Sequence, residues 1–379
     1  MTRGAPALVI GGGIAGAAVA AHLAQAGHAV VLVERREGPH HKVCGEFVSG
    51  EAELYLEDLG IEPAALGAVR MRTVRLGAGR AVATAPLPFP AFSVSRRRLD
   101  EALLAAAAER GAEIRRGRGV RSLAPCDGGW RADLDDGDAI AAGEVFLATG
   151  KHDLRGWKRP PGAQHDLVAF KLHWRLAPDE AAALGSAVEL TLFPGGYAGL
   201  EPVEDGIANL CLVVRRGHLA ALGQRWDALL AALRGAAPQL DQRLGGAIAC
   251  WSRPLAIASI PYGYVATGGG PWRIGDQAAV IPSFSGDGIA IALHSARLAA
   301  DVYLAGGTAS QFQSRLARDV AGQVRYATLL SRMLVHPGSQ AIAAVAARWL
   351  PNLVAGIAQA TRIPAASLRS ARDLPLRAV

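Results

Sequence analysis

The 379 residues are 51% hydrophobic and 19% charged, with mean hydropathy +0.20. That is apolar material for a large core in two joined lobes, and it excludes collagen, a disordered tail and a small disulfide scaffold. Forty basic against 33 acidic residues leave +7 and a pI near 9.6. Lysine occurs only at 42, 151, 158 and 171, and the arginine runs Arg96-Arg97-Arg98 and Arg115-Arg116-Gly117-Arg118 accompany no helix-turn-helix, zinc or aromatic-platform pattern. No nucleic-acid partner is expected, since such runs are ordinarily solvated faces. Cys44, Cys126, Cys211 and Cys250 show no C-x-x-C and no metal-ligand spacing, which predicts a reducing, cytoplasmic setting and no metal.

In chain order, Ala7 to Ile10 predicts a buried strand, residues 14 to 26 an Ala-rich helix, and Ala29 to Val33 a second strand ending at Glu34. Gly11, Gly12, Gly13 and Gly16 make the first apolar stretch a strand, turn and helix rather than a secretory signal. Residues 69 to 92 predict edge strands interrupted by Pro86, Pro88 and Pro90. Leu99 to Arg110 predicts a helix ended by Gly111, and short strands follow at Glu113–Ile114 and Gly119–Leu123. Val145 to Gly150 is another buried strand. Residues 161 to 260 have the turns and alternation of a mostly antiparallel sheet with one covered face, plus a helix at Trp226 to Leu233. Parallel-sheet style returns at Trp272, with a helix from about Gly288 to Leu304, and the tail from 308 is expected to be helical until Pro364. The apolar stretch from Ala341 to Ala360 is broken by Arg348, Pro351 and Asn352. It predicts amphipathic helices able to lean on a membrane and no transmembrane segment.

Gly11, Gly13 and Gly16 form G-x-G-x-x-G directly after a strand and opening a helix with Ile14 and Ala15. The first glycine makes the turn, the second admits a pyrophosphate to the backbone, and the third lets helix and strand pack. Glu34, followed by Arg35, stands 18 residues past Gly16, where a carboxylate accepts hydrogen bonds from an adenosine ribose and repels a 2′-phosphate. A dinucleotide is expected there, FAD or NAD before NADP.

Some 240 residues on, Ile274-Gly275-Asp276 ends a strand and Pro282-Ser283-Phe284-Ser285-Gly286-Asp287-Gly288-Ile289 enters a helix. With this second motif the chain resembles the FAD-dependent p-hydroxybenzoate hydroxylase and geranylgeranyl reductase superfamily. The resemblance runs to about residue 305. It implies an α/β fold with a Rossmann-type, glutathione-reductase-like FAD lobe (1–70, 93–160 and 262–305), an inserted antiparallel substrate lobe (71–92 and 161–261) and a helical C-terminal region (306–379). It also implies that Asp276 holds the ribityl chain and that the amides of Gly288 and Ile289 face the flavin O2 edge, where a helix dipole stabilises the anionic reduced ring. Arg96 in "RRRLD" takes the place of the family's cofactor-holding arginine, "ATG" ending at Gly150 that of the strand beneath the adenosine, and Val120 that of the strand offering its backbone to adenine.

Lys42-Val43-Cys44-Gly45-Glu46 resembles the K-x-C-G box of the geranylgeranyl reductase branch, which runs beside the isoalloxazine. Tyr197 to Pro202 resembles its Y-x-W-x-x-P strand, with Gly199 in place of the tryptophan, a departure that bears on the choice of substrate. The D-G pair of the aromatic hydroxylases is replaced by Gly150-Lys151-His152-Asp153, and no second dinucleotide motif is present. Electrons are therefore expected from transiently docked NAD(P)H, an electron-donor protein or the substrate. The expected function is FAD-dependent hydride transfer between flavin N5 and a carbon–carbon double bond of an apolar small molecule, with Cys44, Glu46 and Tyr197 as catalytic candidates. The alternatives are a flavin monooxygenase acting on an aromatic or polyketide-type substrate and a non-catalytic isoprenoid escort. His294 is expected to be a packing residue, and His40 and His41 an exposed loop.

Overall fold

In the computed structural model, which describes residues 5–336, 338–340 and 351–372, the opening strand Ala7–Ile10 and helix Ile14–Gln25 stand where the glycine spacing placed them. A five-stranded parallel sheet runs in the order Trp272–Arg273, Glu144–Leu147, Ala7–Ile10, Val30–Glu34, Glu113–Arg116. Its strands are continuous runs of β-branched and aliphatic residues because both faces are covered. On one face lie the helices Ile14–Gln25, Arg96–Glu109 and Gly288–Leu304. On the other, Leu8, Ile10, Val31 and Val33 pack against Leu123, Ala132 and Leu134 of a three-stranded meander (Val120–Cys126, Gly129–Leu134, Ala139–Ala142). Helix Ile14–Gln25 is buried on nearly every side, which is why its sequence is alanine-rich rather than amphipathic.

The second sheet has nine strands. Its central ladder, Leu167–Arg175, Ala208–Arg215, Gly196–Pro202 and Ala187–Phe193, is antiparallel, and Ala187–Phe193 then pairs in parallel with Val69–Ala78. Alternation divides the residues sharply. Val168, Leu172, Trp174, Leu200, Leu210, Leu212 and Val214 enter a core closed by Leu184, Leu219, Leu229 and Leu233 from the covering helices. Ala169, Lys171, His173, Asn209, Cys211 and Tyr197 occupy the opposite set of positions in the same strands, as period-two geometry requires. Pro86, Pro88 and Pro90 lie in Ala81–Ser93, where the far side is paired only at Ala91–Ser93 by the short strand Phe47–Ser49. A free edge tolerates the missing donors. Phe47–Ser49, inside the 1–70 stretch, thus joins the larger sheet and carries the preceding box between the two layers.

Helix Ala309–Leu334 opens with a capping box of Thr308 and Gln311 and lies against Gly288–Leu304 and Trp272, which stacks with Phe312 at 5.7 Å. Among the described residues, the tail does not end its helices at Pro364. A helix spans Ala365–Arg372, because proline is well suited to stand just before a helix though not within one. No helix among the described residues is long and apolar enough to cross a membrane.

Two glycines hold the sheet and first helix together. Gly11 has φ +110°, and a Cβ there would stand 2.5 Å from the Ala148 carbonyl oxygen; one on Gly16 would stand 1.9 Å from that of Gly11. Both obstacles are backbone. Gly16→Ala is expected to lower the unfolding free energy by at least about 2 kcal/mol, measured by urea denaturation, while Gly38→Ala, in open space, should change it by less than about 0.5 kcal/mol.

Candidate active site

The Gly-rich turn opens onto a cavity of about 540 Å³. Its lining runs from Glu34, Arg35, Arg118 and Val120 at one end to Ala169, Cys211, Ile257 and Ile260 at the other. Of the residues singled out in the sequence, Gly11, Gly13, Ile14, Ala15, Glu34, Arg35, Lys42, Cys44, Gly45, Glu46, Arg96, Val120, Gly150, Gly275, Asp276, Gly286, Gly288 and Ile289 all border it. Gly16, Pro282, Asp287 and Tyr197 are outside the lining. The two motifs meet directly, since a Cβ on Gly275 would stand 3.0 Å from that of Ala15.

Helix Ile14–Gln25 begins at Gly13 with no side-chain cap, so its first amides turn toward the cavity unsatisfied and carry the positive end of the helix dipole. Glu34 accepts the Gly12 amide at 2.7 Å on Oε2 and the Arg36 amide at 3.0 Å on Oε1, fixing a buried carboxylate at the strand tip. Lys42 and Arg96 hang over the turn: a Cβ on Gly13 would lie 3.4 Å from Lys42 Nζ and 3.5 Å from Arg96 Nη2. Both bind Asp100, Lys42 at 2.8 Å and Arg96 through two nitrogens at 2.7 and 2.9 Å. Burial works to raise the Asp100 carboxyl, but Arg96 and Lys42 outweigh it and hold it below the usual range. Arg96 is thereby fixed by its own helix rather than left as surface charge.

Asp276 pairs with Lys151 at 3.2 Å, and Arg159 donates to its carbonyl at 2.6 Å. Burial again works to raise this carboxyl, and Lys151 and Arg159 bring it down. Lys151 directly follows Gly150, in the segment that replaces the D-G pair. Lys42, Arg96 and Lys151 over the carboxylates of Asp100 and Asp276 leave a net positive middle to the cavity, suited to a pyrophosphate between two uncapped helix ends. The ribose carboxylate, the glycine cradle, this excess charge and the second helix opening at Gly288 together fit FAD.

The box at 42–46 lies across the polar stripe of the large sheet. Asn209 Nδ2 donates to the Cys44 and Gly45 carbonyls at 3.2 and 2.8 Å. Cys44 Sγ accepts the Glu46 amide at 3.3 Å and faces the cavity. Glu46, in the left-handed region at φ 66°, turns its carboxylate away from solvent completely and bonds Lys171, His173 Nε2 at 2.7 Å and the Arg96 amide at 2.7 Å. Burial would raise it, yet Lys171 and His173 bring it down to about 2. A carboxylate held this firmly ionised is a poor proton donor, so Glu46 is an anchor joining box, sheet and helix rather than the catalytic acid expected of it.

His41, expected in an exposed loop, is instead half-buried, its ring 4.7 Å from His173 and 4.8 Å from Trp251. Ligating atoms of His41, Glu46 and His173 fall within 4.8 Å of one another, but the Lys171 ammonium already supplies the cation that Glu46 takes. Lys171 and His173 were missed because nothing in their own segment names a partner 125 residues earlier. Two polar residues at i and i+2 in the apolar strand Leu167–Arg175 were the available signal.

Tyr197 does not reach the cavity. Its hydroxyl meets Ser283 Oγ at 3.2 Å, and burial followed by Tyr262 raises it well above an ordinary phenol. His294 is fully buried between the Tyr55 hydroxyl at 2.7 Å and Asp319 at 3.1 Å, the packing role its place in an apolar helix implied. A Cβ on Gly199 would meet only the Cys211 carbonyl, at 3.8 Å, so the residue in place of the branch's tryptophan leaves open room beside a cavity-lining strand.

A match to the FAD binding domain family spans residues 4–143. Menaquinone reductase of Mycolicibacterium smegmatis is 29% identical, covering 93% of this chain and 93% of its own length, and menaquinone reductase of Mycobacterium tuberculosis is 26% identical over 92% and 91%. Among solved structures, the flavin-dependent brominase Bmp2 superposes with TM-score 0.75 at 18% identity, covering 97% of both chains. The myxobacterial chondrochloren halogenase CndH gives 0.74 at 20%, covering 98% of this chain and 96% of its own. These likenesses are of fold.

Glu46→Gln leaves the buried Lys171 without its counter-charge and is expected to cost about 3 kcal/mol or more at pH 7. Because the folded carboxyl sits at about 2 against an ordinary 4.5, the stability it adds is complete above pH 4.5 and lost as pH falls toward 2. The gap between wild type and variant in denaturation should close over that window. Residues 4–143 match the FAD binding domain family, and the chain is an FAD-dependent enzyme with the fold of the superfamily its motifs resemble.

Proposed function

We propose that the chain is an FAD-dependent reductase of an isoprenoid quinone or similarly apolar molecule, with hydride passing to a carbon–carbon double bond. The observation carrying this reading is the apolar end of the cavity, where Ala169, Leu255, Ala256, Ile257 and Ile260 continue the space beyond Cys44. Relatives named menaquinone reductases over more than nine-tenths of the chain support it. FAD, when bound and reduced, supplies the hydride; reducing equivalents reach it from docked NAD(P)H or a donor protein. A carrier that only escorts an isoprenoid would not need the paired cations of the pyrophosphate region.

The chain's part is to bind, orient and protonate. Gly13, Lys42 and Arg96 bracket the pyrophosphate position, and Glu34 takes the ribose. The apolar wall holds the substrate double bond in the absence of water, which suppresses loss of reducing equivalents to solvent. Reduction of a double bond takes one hydride at one carbon and one proton at the other. Cys44 lines the cavity, whereas Tyr197 stands behind Ser283. Cys44 is therefore the proton donor in this reading, leaving a thiolate that water reprotonates.

The test reduces FAD-loaded protein anaerobically and adds menaquinone. The expected product gains two hydrogens without O₂, and in D₂O deuterium appears at both carbons of the former double bond, since the N5 hydrogen and the thiol proton both exchange with solvent. Turnover that requires O₂ and inserts an oxygen atom would establish the monooxygenase alternative instead. Cys44→Ala should lower the rate of flavin reoxidation by substrate at least about 100-fold while FAD content is unchanged. An undiminished rate would remove Cys44 from the mechanism.

A further inference from the structure

The loop before the second flavin helix contains a buried ion pair that the reductase scheme does not use. Asp287, fully buried, immediately precedes Gly288, yet gives helix Gly288–Leu304 no side-chain cap. Its carboxylate instead meets Arg362 Nη1 at 3.2 Å, Gln323 Nε2 at 3.1 Å and Ser49 Oγ at 3.4 Å. Arg362 reaches in from the C-terminal segment, past the helix Pro351–Ala360. It is itself 5% exposed, donates to the Ser285 and Ala358 carbonyls, and lies 4.7 Å over the Phe89 ring. Four contacts on one guanidinium, three of them to residues distant in sequence, fix a positive charge behind the turn whose Gly286, Gly288 and Ile289 border the cavity.

We propose that Arg362 sets the reduction potential of the bound flavin, cancelling the negative charge of Asp287 at the helix end that faces the ring. The inference rests on the flavin seat described above and not on the identity of the substrate. Reduction adds negative charge to the flavin around N1 and O2. A helix N-terminus favours that charge, but a carboxylate on the residue just before it opposes it in a poorly solvated site. Arg362 removes that opposition. Asp287 is raised to about 7, with burial the largest cause, Arg362 pulling against it and Glu51 adding to the rise. At a fixed protonation state of Asp287, the pair is one charge more positive with Arg362 than without it. Arg362 is thus a positioning residue of the electrostatics, and it gives the C-terminal segment a role in the redox step.

The experiment equilibrates FAD-loaded wild type, Arg362→Gln and Arg362→Lys with a reference redox dye at pH 8.5, reading both spectra. Arg362→Gln is expected to shift the flavin equilibrium toward the oxidised form by about tenfold, or about 30 mV for a two-electron couple, and Arg362→Lys by much less. Asp287→Asn, measured likewise, is expected to shift it toward the reduced form and decides the matter if Arg362→Gln does not fold. Proteins that carry normal FAD but whose equilibria coincide with wild type would overturn the proposal. A wild type that takes up no FAD would instead overturn the flavin seat.

Discussion

Two helices, Ile14–Gln25 and Gly288–Leu304, begin without side-chain caps at the wall of the same cavity. Orphaned amides at a helix start require partners, and here the chain withholds them at both ends. Much of the molecule follows from that constraint. The parallel sheet ends the strands before both helices, Ala7–Ile10 and Trp272–Arg273, on either side of Glu144–Leu147. Gly11, Gly16 and Gly275 remove the side chains that would hold them apart. Lys42, Arg96 and Lys151 add positive charge between them while keeping that charge tied to Asp100 and Asp276.

The substrate side is coupled to this seat through Glu46. One carboxylate receives the start of helix Arg96–Glu109, the large sheet through Lys171 and His173, and by its own backbone the Cys44 segment. Because the group is wholly buried and ionised, its partners are bound by mutual desolvation cost as much as by attraction. A shift of sheet against helix would leave a charge exposed to apolar surroundings, so the position of Cys44 beside the cavity is rigidly determined. Arg362 acts similarly at the far turn, joining a C-terminal segment to the loop that ends at Gly288.

What could be read from the sequence was local. Strand-glycine-helix geometry, Glu34 at the strand tip and the Asp276 turn each lie within a short window where spacing and residue type carry the physics. The charge networks did not appear in any window. Glu46 and His173 are 127 residues apart, and Asp287 and Arg362 are 75 apart; their meeting depends on register and packing that composition does not encode. Tyr197 was misplaced for a related reason. Alternation put it on the correct sheet face, but not on the cavity, because Ser283 and Phe284 from the second motif come between. His41 looked like loop because its cover, Trp251 and His173, arrives from another lobe.

The most direct measurement is the position of the cofactor itself, by crystallography of the protein grown with FAD. The account predicts electron density for the pyrophosphate over Gly11–Gly16 between Lys42 and Arg96, and for the isoalloxazine against the turn from Gly286 to Ile289 with its N5 edge toward Cys44. Density that leaves either helix start bare, or that places the ring away from Cys44, would contradict it.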